Sequence, residues 1–401
     1  MTEWPIATIG GVCRVYSGGT PSKGNAAYWR GSIPWVSAKD LKADRIFDAE
    51  LCISQRACEE TAAKIAPSGS LLVLVRGMGL ANGIQIGEVT SPVAFNQDLR
   101  AIVPPATVDS RFLLLALRHG LADGGNSVLS SAAHGTLKID ANALRQIEFP
   151  VPPLGEQHRI VAILDEAFEG IATAKANAEK NLQNARELGE SLIEQCFENH
   201  VDQSFLPREL AQLCEFIVDC EHKTAPTQGE GFPSIRTPNI GRGKLILDDV
   251  NRVSHETYVS WTRRAVPRPG DLILAREAPA GNVAVIPEGV QACLGQRTVL
   301  LRPKRDVFHP EYLAHLLLQR SSQTRLLAHS RGATVQHVNM KDIRAFEIHG
   351  VPPLERQLQV IDALAAVEVA CEKLLESQRK KIAALDELKK SLLHQAFTGQ
   401  L

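Results

Sequence analysis

Two long stretches with the same alternation of apolar and polar positions dominate the chain. From Leu164, spacings of three and four pick out Leu164, Ala167, Ile171, Ala174, Ala178, Asn181, Ala185, Leu188, Leu192 and Gln195. At an offset of 200 residues the same spacing finds Leu364, Val367, Cys371, Leu374, Gln378, Lys381, Leu385, Leu388, Leu392 and Gln395. A heptad seam held this long, with no proline inside, predicts two helices of roughly 40 residues, about 60 Å each. Asn181 with Lys381, and Gln195 with Gln395, are polar at matching seam positions, which tends to fix register at a cost in stability. Pairing the two helices within one chain buries both seams. A whole domain lies between them, so an antiparallel pair is allowed, with the globular domains at opposite ends about an approximate two-fold. A homodimeric coiled coil is the alternative, and it leaves the duplication without a purpose.

The rest of the chain is also written twice. Val151-Pro-Pro-Leu-Gly-Glu-Gln157 returns as Val351-Pro-Pro-Leu-Glu-Arg-Gln357, and Ser191-Leu-Ile-Glu-Gln-Cys-Phe197 as Ser391-Leu-Leu-His-Gln-Ala-Phe397. Leu71–Arg76 answers Leu272–Arg276, Asn96-Gln97 answers Gly295-Gln296, and Cys13 answers Cys214. Ahead of each Pro-Pro pair, short β-type runs such as Leu71–Val75, Ile84–Val89 and Leu99–Val103 alternate with Gly and Pro turns. A helical pattern follows at Arg111–Gly120, with a counterpart at Glu311–Gln319. The predicted class is α+β: two mixed α/β domains joined by two long helices forming an intramolecular antiparallel coiled coil, as a pseudo-two-fold repeat. The expected divisions are a first domain at 1–150, a helical region at 151–203, a second domain at 204–350 and a second helical region at 351–401.

Composition narrows the classes. The hydrophobic fraction is 44% and the charged fraction 22%, values of a globular protein. No apolar run reaches membrane-spanning length, and the first residues lack a secretory pattern, so the expected location is the cytoplasm. The eight cysteines contain no C-x-x-C pair and sit among apolar neighbours, which suggests buried free thiols and no metal site. Net charge is −1, but residues 151–205 hold 4 basic against 10 acidic residues, while 206–350 hold 19 against 15. Charge therefore permits a nucleic-acid partner without requiring one. There is no P-loop, nucleophile elbow or H-E-x-x-H motif. The Pro-Pro pairs are preceded by valine, so they lack the amide or carboxylate of an adenine methyltransferase motif. The chain is expected not to be an enzyme.

The opening segment holds Ser17-Gly-Gly-Thr-Pro-Ser-Lys23, Tyr28-Trp29, Ile33-Pro-Trp35 and Ser37-Ala-Lys-Asp40. With the two Pro-Pro-Leu-x-x-Gln segments and the closing Gln395-Ala-Phe-Thr-Gly399, it resembles the DNA specificity subunits of type I restriction-modification systems. The resemblance covers essentially the whole chain. It implies two target recognition domains, each reading half of a bipartite double-stranded DNA site. The helical regions would be a spacer and the docking surface for two methyltransferase subunits that modify adenine at N6 with S-adenosylmethionine. Restriction subunits that use ATP are further partners the resemblance allows. No cofactor is expected on this chain, which would be a monomer within the complex. The second domain opens Asp219-Cys-Glu-His-Lys-Thr224 where the first has Tyr16-Ser-Gly-Gly-Thr-Pro21, so the two half-sites should differ.

Base reading needs hydrogen-bonding side chains on loops. In the first domain the candidates are Gly18, Gly19, Thr20, Ser22, Lys23, Ser37, Lys39, Arg76, Gln97 and Lys138. In the second they are His222, Lys223, Arg236, Thr237, Asn239, Arg276, Gln296 and Gln336. Each has a plainer reading: Gly18-Gly19 as an ordinary turn, Arg76 and Arg276 as ion-paired strand ends, Gln97 and Gln296 as structural hydrogen bonds. Trp35 is expected in the core, and most contacts in such an interface go to phosphate and sugar. Outside this class stand a coiled-coil adaptor without DNA specificity and an enzyme acting alone. DNA binding separates the first from the reader, and cofactor titration the second.

Overall fold

A computed structural model describes residues 4–131, 137–202, 204–328 and 337–401. The chain divides into two compact units, Met1–Glu179 with Arg379–Leu401, and Lys180–Gln378.

In the first unit a five-stranded sheet runs in the order Arg14–Ser17, Leu99–Val103, Leu71–Leu74, Ile86–Val89, Arg45–Ile46. The pairings are antiparallel except the last, which is parallel. Leu71–Leu74 is the central strand and is buried on both faces, as a continuous apolar run of this length should be. A second sheet pairs Leu51–Ile53, Ile33–Val36, Val93–Phe95 and Lys64–Ala66. The helix Ser110–Val128 explains the unbroken run from Phe112 to Leu117: Leu113, Leu114 and Leu117 join the sheet core, while Phe112 and Leu115 pack against Ile160, Leu164 and Ala396. A helix covered on opposite faces has no need of a polar one in that stretch. This helix runs further than its sequence pattern at Arg111–Gly120.

The second unit repeats the five-stranded order with Cys214–Asp219, Thr298–Pro303, Leu272–Ala275, Val283–Val285 and Gly243–Lys244. Its smaller sheet pairs Arg252–Val253, Phe232–Ile235 and Cys293–Leu294, again with one parallel pairing. The helix Pro310–Leu318 covers the core and is followed by Arg320–Leu327.

The repeated Pro-Pro-Leu-x-x-Gln segment ends in a fully buried glutamine in both units. Gln157 Oε1 accepts from the Asp109 amide at 2.8 Å, and its Nε2 donates to the Thr107 and Pro152 carbonyls at 3.0 and 2.8 Å. Gln357 makes the same three bonds, with His309, Val307 and Pro352 at 2.8, 2.7 and 2.9 Å. Each glutamine thus locks a domain loop onto the start of a long helix, satisfying main-chain groups that burial would otherwise leave unpaired.

Those helices run Leu154–Glu198 and Leu354–Phe397 and pack antiparallel. In the first unit Lys175 Nζ meets Asp386 Oδ1 at 2.7 Å and Lys389 lies 5.0 Å from the Phe168 ring, so position rises on one helix as it falls on the other. In the second unit Gly189 lies against Cys371. The buried seam departs from the sequence pattern at several positions. Asn181, Leu188, Lys381 and Leu388 point outward, as does Leu374, whereas Leu182, Gly189, Leu375 and Ile382 turn in. Leu188 and Leu388 are 54% and 46% exposed. The physical reason is local: Leu182 and Ile382 are apolar where the preceding Asn181 and Lys381 are not. At 189 the glycine allows a closer approach than any side chain would. Leu164, Ile171 and Leu364 are buried as the seam requires, and Val367, Leu385, Leu192 and Leu392 are half-buried.

All eight cysteines are free. Burial pushes the Cys13 thiol up to about 11 and the Cys214 thiol up to about 12, so both stay protonated at neutral pH. Among the described residues no group of His, Cys, Asp and Glu could hold a metal ion, and no helix is long and apolar enough to cross a membrane.

Candidate nucleic-acid interface

In the first unit the opening glycines have a packing role. A Cβ on Gly18 would run into the Phe95 carbonyl, and one on Gly19 into Ala62. Gly19 N donates to Phe95 O at 3.0 Å, and Trp35 Nε1 donates to Gly19 O at 3.0 Å. Trp35 is therefore a core residue, edge-on to Trp29 at 5.1 Å. Pressed against strand Val93–Phe95, the loop delivers Thr20 to Gln97, where Thr20 Oγ1 donates to Gln97 Oε1 at 2.5 Å on the exposed surface.

Arg100 stands behind them. Its NH1 donates to Ser17 Oγ at 2.9 Å and to the Gln97 and Leu99 carbonyls at 3.0 Å each. Burial and then the neighbouring charge of Arg76 hold its guanidinium below the ordinary value. Arg76 itself is exposed, and its main chain bridges that of Lys138. The structure thus gathers Thr20, Gln97, Arg76 and Lys138, and adds Arg100, which sequence reasoning missed. The available signal was a charge in a strand of otherwise apolar residues. Ser22 and Lys23 lie on an exposed loop anchored where Trp29 Nε1 donates to Ser22 O at 3.1 Å. Ser37 donates through both N and Oγ to Asp40 Oδ2 at 2.8 Å and so holds its own turn, leaving Lys39 exposed beside it.

In the second unit Glu277 takes the place of Arg76, and Arg276 that of Val75, one residue off the match the sequence repeat suggested. The strand register, and not the shared arginine, sets the equivalence, and the place is built from paired charges. Arg276 NH1 meets Asp219 Oδ2 at 2.9 Å, its Nε donates to Val338 O at 3.0 Å, and its NH2 lies 3.0 Å from His337 Nε2. His337 Nδ1 in turn lies 3.0 Å from Glu277 Oε1, whose other oxygen meets Arg297 Nε at 2.9 Å. His222 Nε2 is 3.3 Å from Asp219, and Arg264 and Arg263 approach Glu221 at 3.7 and 4.0 Å. The carboxylates Asp219, Glu221 and Glu277 are 17–21% exposed, against 52–74% for His222, Arg263, Arg264 and Arg297. Acids below orient the side chains above, which puts the guanidinium groups of Arg263, Arg264 and Arg297 where a phosphate backbone could reach them. Arg297 sits at φ 65°, an uncommon conformation for a side-chain-bearing residue.

Arg263, Arg264 and Arg297 were also missed by sequence, although the Arg263-Arg264 doublet was visible. Asn239 is buried and structural, with Oδ1 accepting from Arg236 N at 3.1 Å and Nδ2 donating to Ile246 O at 3.2 Å. Arg236 is exposed, and its stem crosses Gly295 immediately before the half-buried Gln296. Thr237 is half-buried and Lys223 exposed. Gln336 lies outside the described residues.

The family model for the type I restriction modification DNA specificity domain matches residues 1–183 and 207–384. The EcoR124I/EcoR124II specificity subunit of Escherichia coli is 32% identical over 168 residues, 41% of this chain and 40% of that protein. The MjaIX specificity subunit of Methanocaldococcus jannaschii is 28% identical over 170 residues, 40% of this chain and 37% of that one. These first relatives are thus matched over about two fifths of their length. The EcoKI specificity subunit of E. coli K12 is matched over 99% of this chain and 89% of its own, at 20% identity. In fold, the chain resembles the solved HsdS subunit from Thermoanaerobacter tengcongensis, with TM-score 0.61, 19% identity, and 100% and 98% of the two chains covered. A chain solved in work on assembly and conformational transition of the type I R-M system has TM-score 0.78 at 20% identity, with 100% and 99% covered. With the family model matched across both units, the chain belongs to the type I restriction modification DNA specificity family.

Proposed function

We propose that the chain is the DNA-reading subunit of a type I restriction-modification complex, with residues 1–150 and 204–350 each reading one half of an asymmetric bipartite site. The observation that carries this reading is the contrast between two sites on one scaffold. The first unit presents Thr20, Gln97, Arg76 and Arg100 at the strand ends, and the second presents His222, Arg263, Arg264 and Arg297 over half-buried carboxylates. A shared topology with different loop chemistry is what two different half-sites demand. The exposed cations would engage phosphates and fix register, while side chains between them reach base edges.

Catalysis belongs in this reading to partners. Two N6-adenine methyltransferase subunits, carrying S-adenosylmethionine, would dock on the helical regions and act on an adenine turned out of the duplex. Restriction subunits would bring ATP-driven translocation. The acidic stretch of residues 151–205, with 4 basic against 10 acidic residues, would avoid the DNA backbone and suit basic partner surfaces. The complex would work in the cytoplasm with one copy of this chain.

The direct test is the N6-methyladenine map of host DNA, with and without the gene. Loss of one bipartite, asymmetric motif on deletion is the expected result. An unchanged map in cells expressing the chain with its methyltransferase would overturn the reading and favour the coiled-coil adaptor.

A further inference from the structure

The Thr20–Gln97 pair has features that a structural hydrogen bond does not require. Both residues are exposed, so the bond satisfies no interior polar group and adds little to stability. Yet the main chain around Gln97 is fixed on every side. Asn96 N donates to Val36 O at 3.0 Å, Val75 N to Asp98 O at 2.8 Å, and Arg100 NH1 to the carbonyl of Gln97 itself at 3.0 Å. The Gly18-Gly19 step, closed tightly over Phe95 and Ala62, fixes Thr20 from the other side. Two rigid pieces of backbone thus meet in one solvent-facing amide, as in a preorganised recognition group.

The hydroxyl of Thr20 uses one lone pair of Oε1 and so sets which way the amide faces. Among the described residues a second lone pair and both Nε2 hydrogens remain, giving an acceptor and a donor side by side. In the major groove adenine offers the complement, an N7 acceptor beside an N6 amino donor. Guanine offers two acceptors, and neither pyrimidine presents such a pair. Arg76 and Arg100 stand alongside, where their charge would draw in the backbone that carries the base.

We infer that Gln97 reads an adenine in the half-site of the first recognition domain, and that Thr20 is the positioning residue that aims it. This rests on the proposed function. In the second unit Gln296 follows Gly295, over which the Arg236 stem lies, so the inference is confined to the first half-site.

The test uses the full chain with its methyltransferase subunits on DNA libraries randomised across both half-sites, sequencing the methylated products. Gln97→Ala is expected to relax one A·T position of the first half-site by about tenfold, the second half-site staying unchanged. Thr20→Val should relax the same position less, and Thr20→Ser should restore it. The intact second half-site shows that each variant has folded and assembled. Preference kept at every position, a uniform loss of rate with preference kept, or relaxation at a position that was not A·T would each overturn the inference and leave the proposed function standing. A wild-type complex without sequence preference would remove the proposed function itself.

Discussion

The sequence repeat sets Arg76 against Arg276, but the strand register matches Arg276 to Val75 and Arg76 to Glu277, and the two arginines do different work. Arg76 is exposed beside Arg100, while Arg276 is held by Asp219, the Val338 carbonyl and His337. The difference was not legible in the repeat. It depends on Asp219, 57 residues away, which by strand register stands where the first half has Ser17. The same substitution at the two places should therefore have different effects. Arg276→Ala leaves Asp219, 17% exposed, without its main partner, and should lower stability by about 2–3 kcal/mol in urea unfolding. Arg76→Ala should leave the unfolding curve in place and weaken DNA binding by the full complex, flattening the slope of log affinity against log salt by about one. If Arg76→Ala destabilised and Arg276→Ala did not, the assignment of roles would be reversed.

At the scale of elements, the two long helices were plain in the sequence because an apolar heptad held over such a length fits neither strand nor loop. The side of the helix that is buried was only half legible. A spacing of three then four and a spacing of four then three fit the same heptad, and only the partner decides between them. Gly189 records the decision: an added Cβ would come within 2.8 Å of Cys371 Sγ. Gly170, on the same helix, has nothing within 4 Å of an added Cβ. Gly170→Ala should therefore gain close to the helix-propensity difference, about 1 kcal/mol. Gly189→Leu should lose about 1–3 kcal/mol by overpacking despite leucine's better propensity. Thermal unfolding of the two variants checks this, and equal gains from both would remove the close approach as the cause of the seam's position. The Pro-Pro-Leu-x-x-Gln segments were legible as punctuation. Nothing in their sequence announced that Gln157 and Gln357 would each be buried among three main-chain partners, since two of the three lie on loops about 50 residues upstream.

At the scale of the whole molecule, the duplication was legible from end to end, and what it could not supply was the chemistry of the loops it carries. In the proposed complex the paired helices act as a ruler. Removing one heptad from each, residues 179–185 and 375–381, keeps the antiparallel pairs on either side in register and shortens each helix by roughly 10 Å. Along B-DNA that is about three base pairs, so the preferred gap between half-sites should contract by about three. Three base pairs are also about 100° of helical rotation, and a reader shifted along the axis alone would meet the wrong face of the groove. The shortened chain should therefore methylate its new, closer-spaced site more slowly than the intact chain methylates its own, with the bases of both half-sites unchanged. A preferred gap that did not move, in a complex still able to methylate, would mean that the helices hold the partners without setting the spacing.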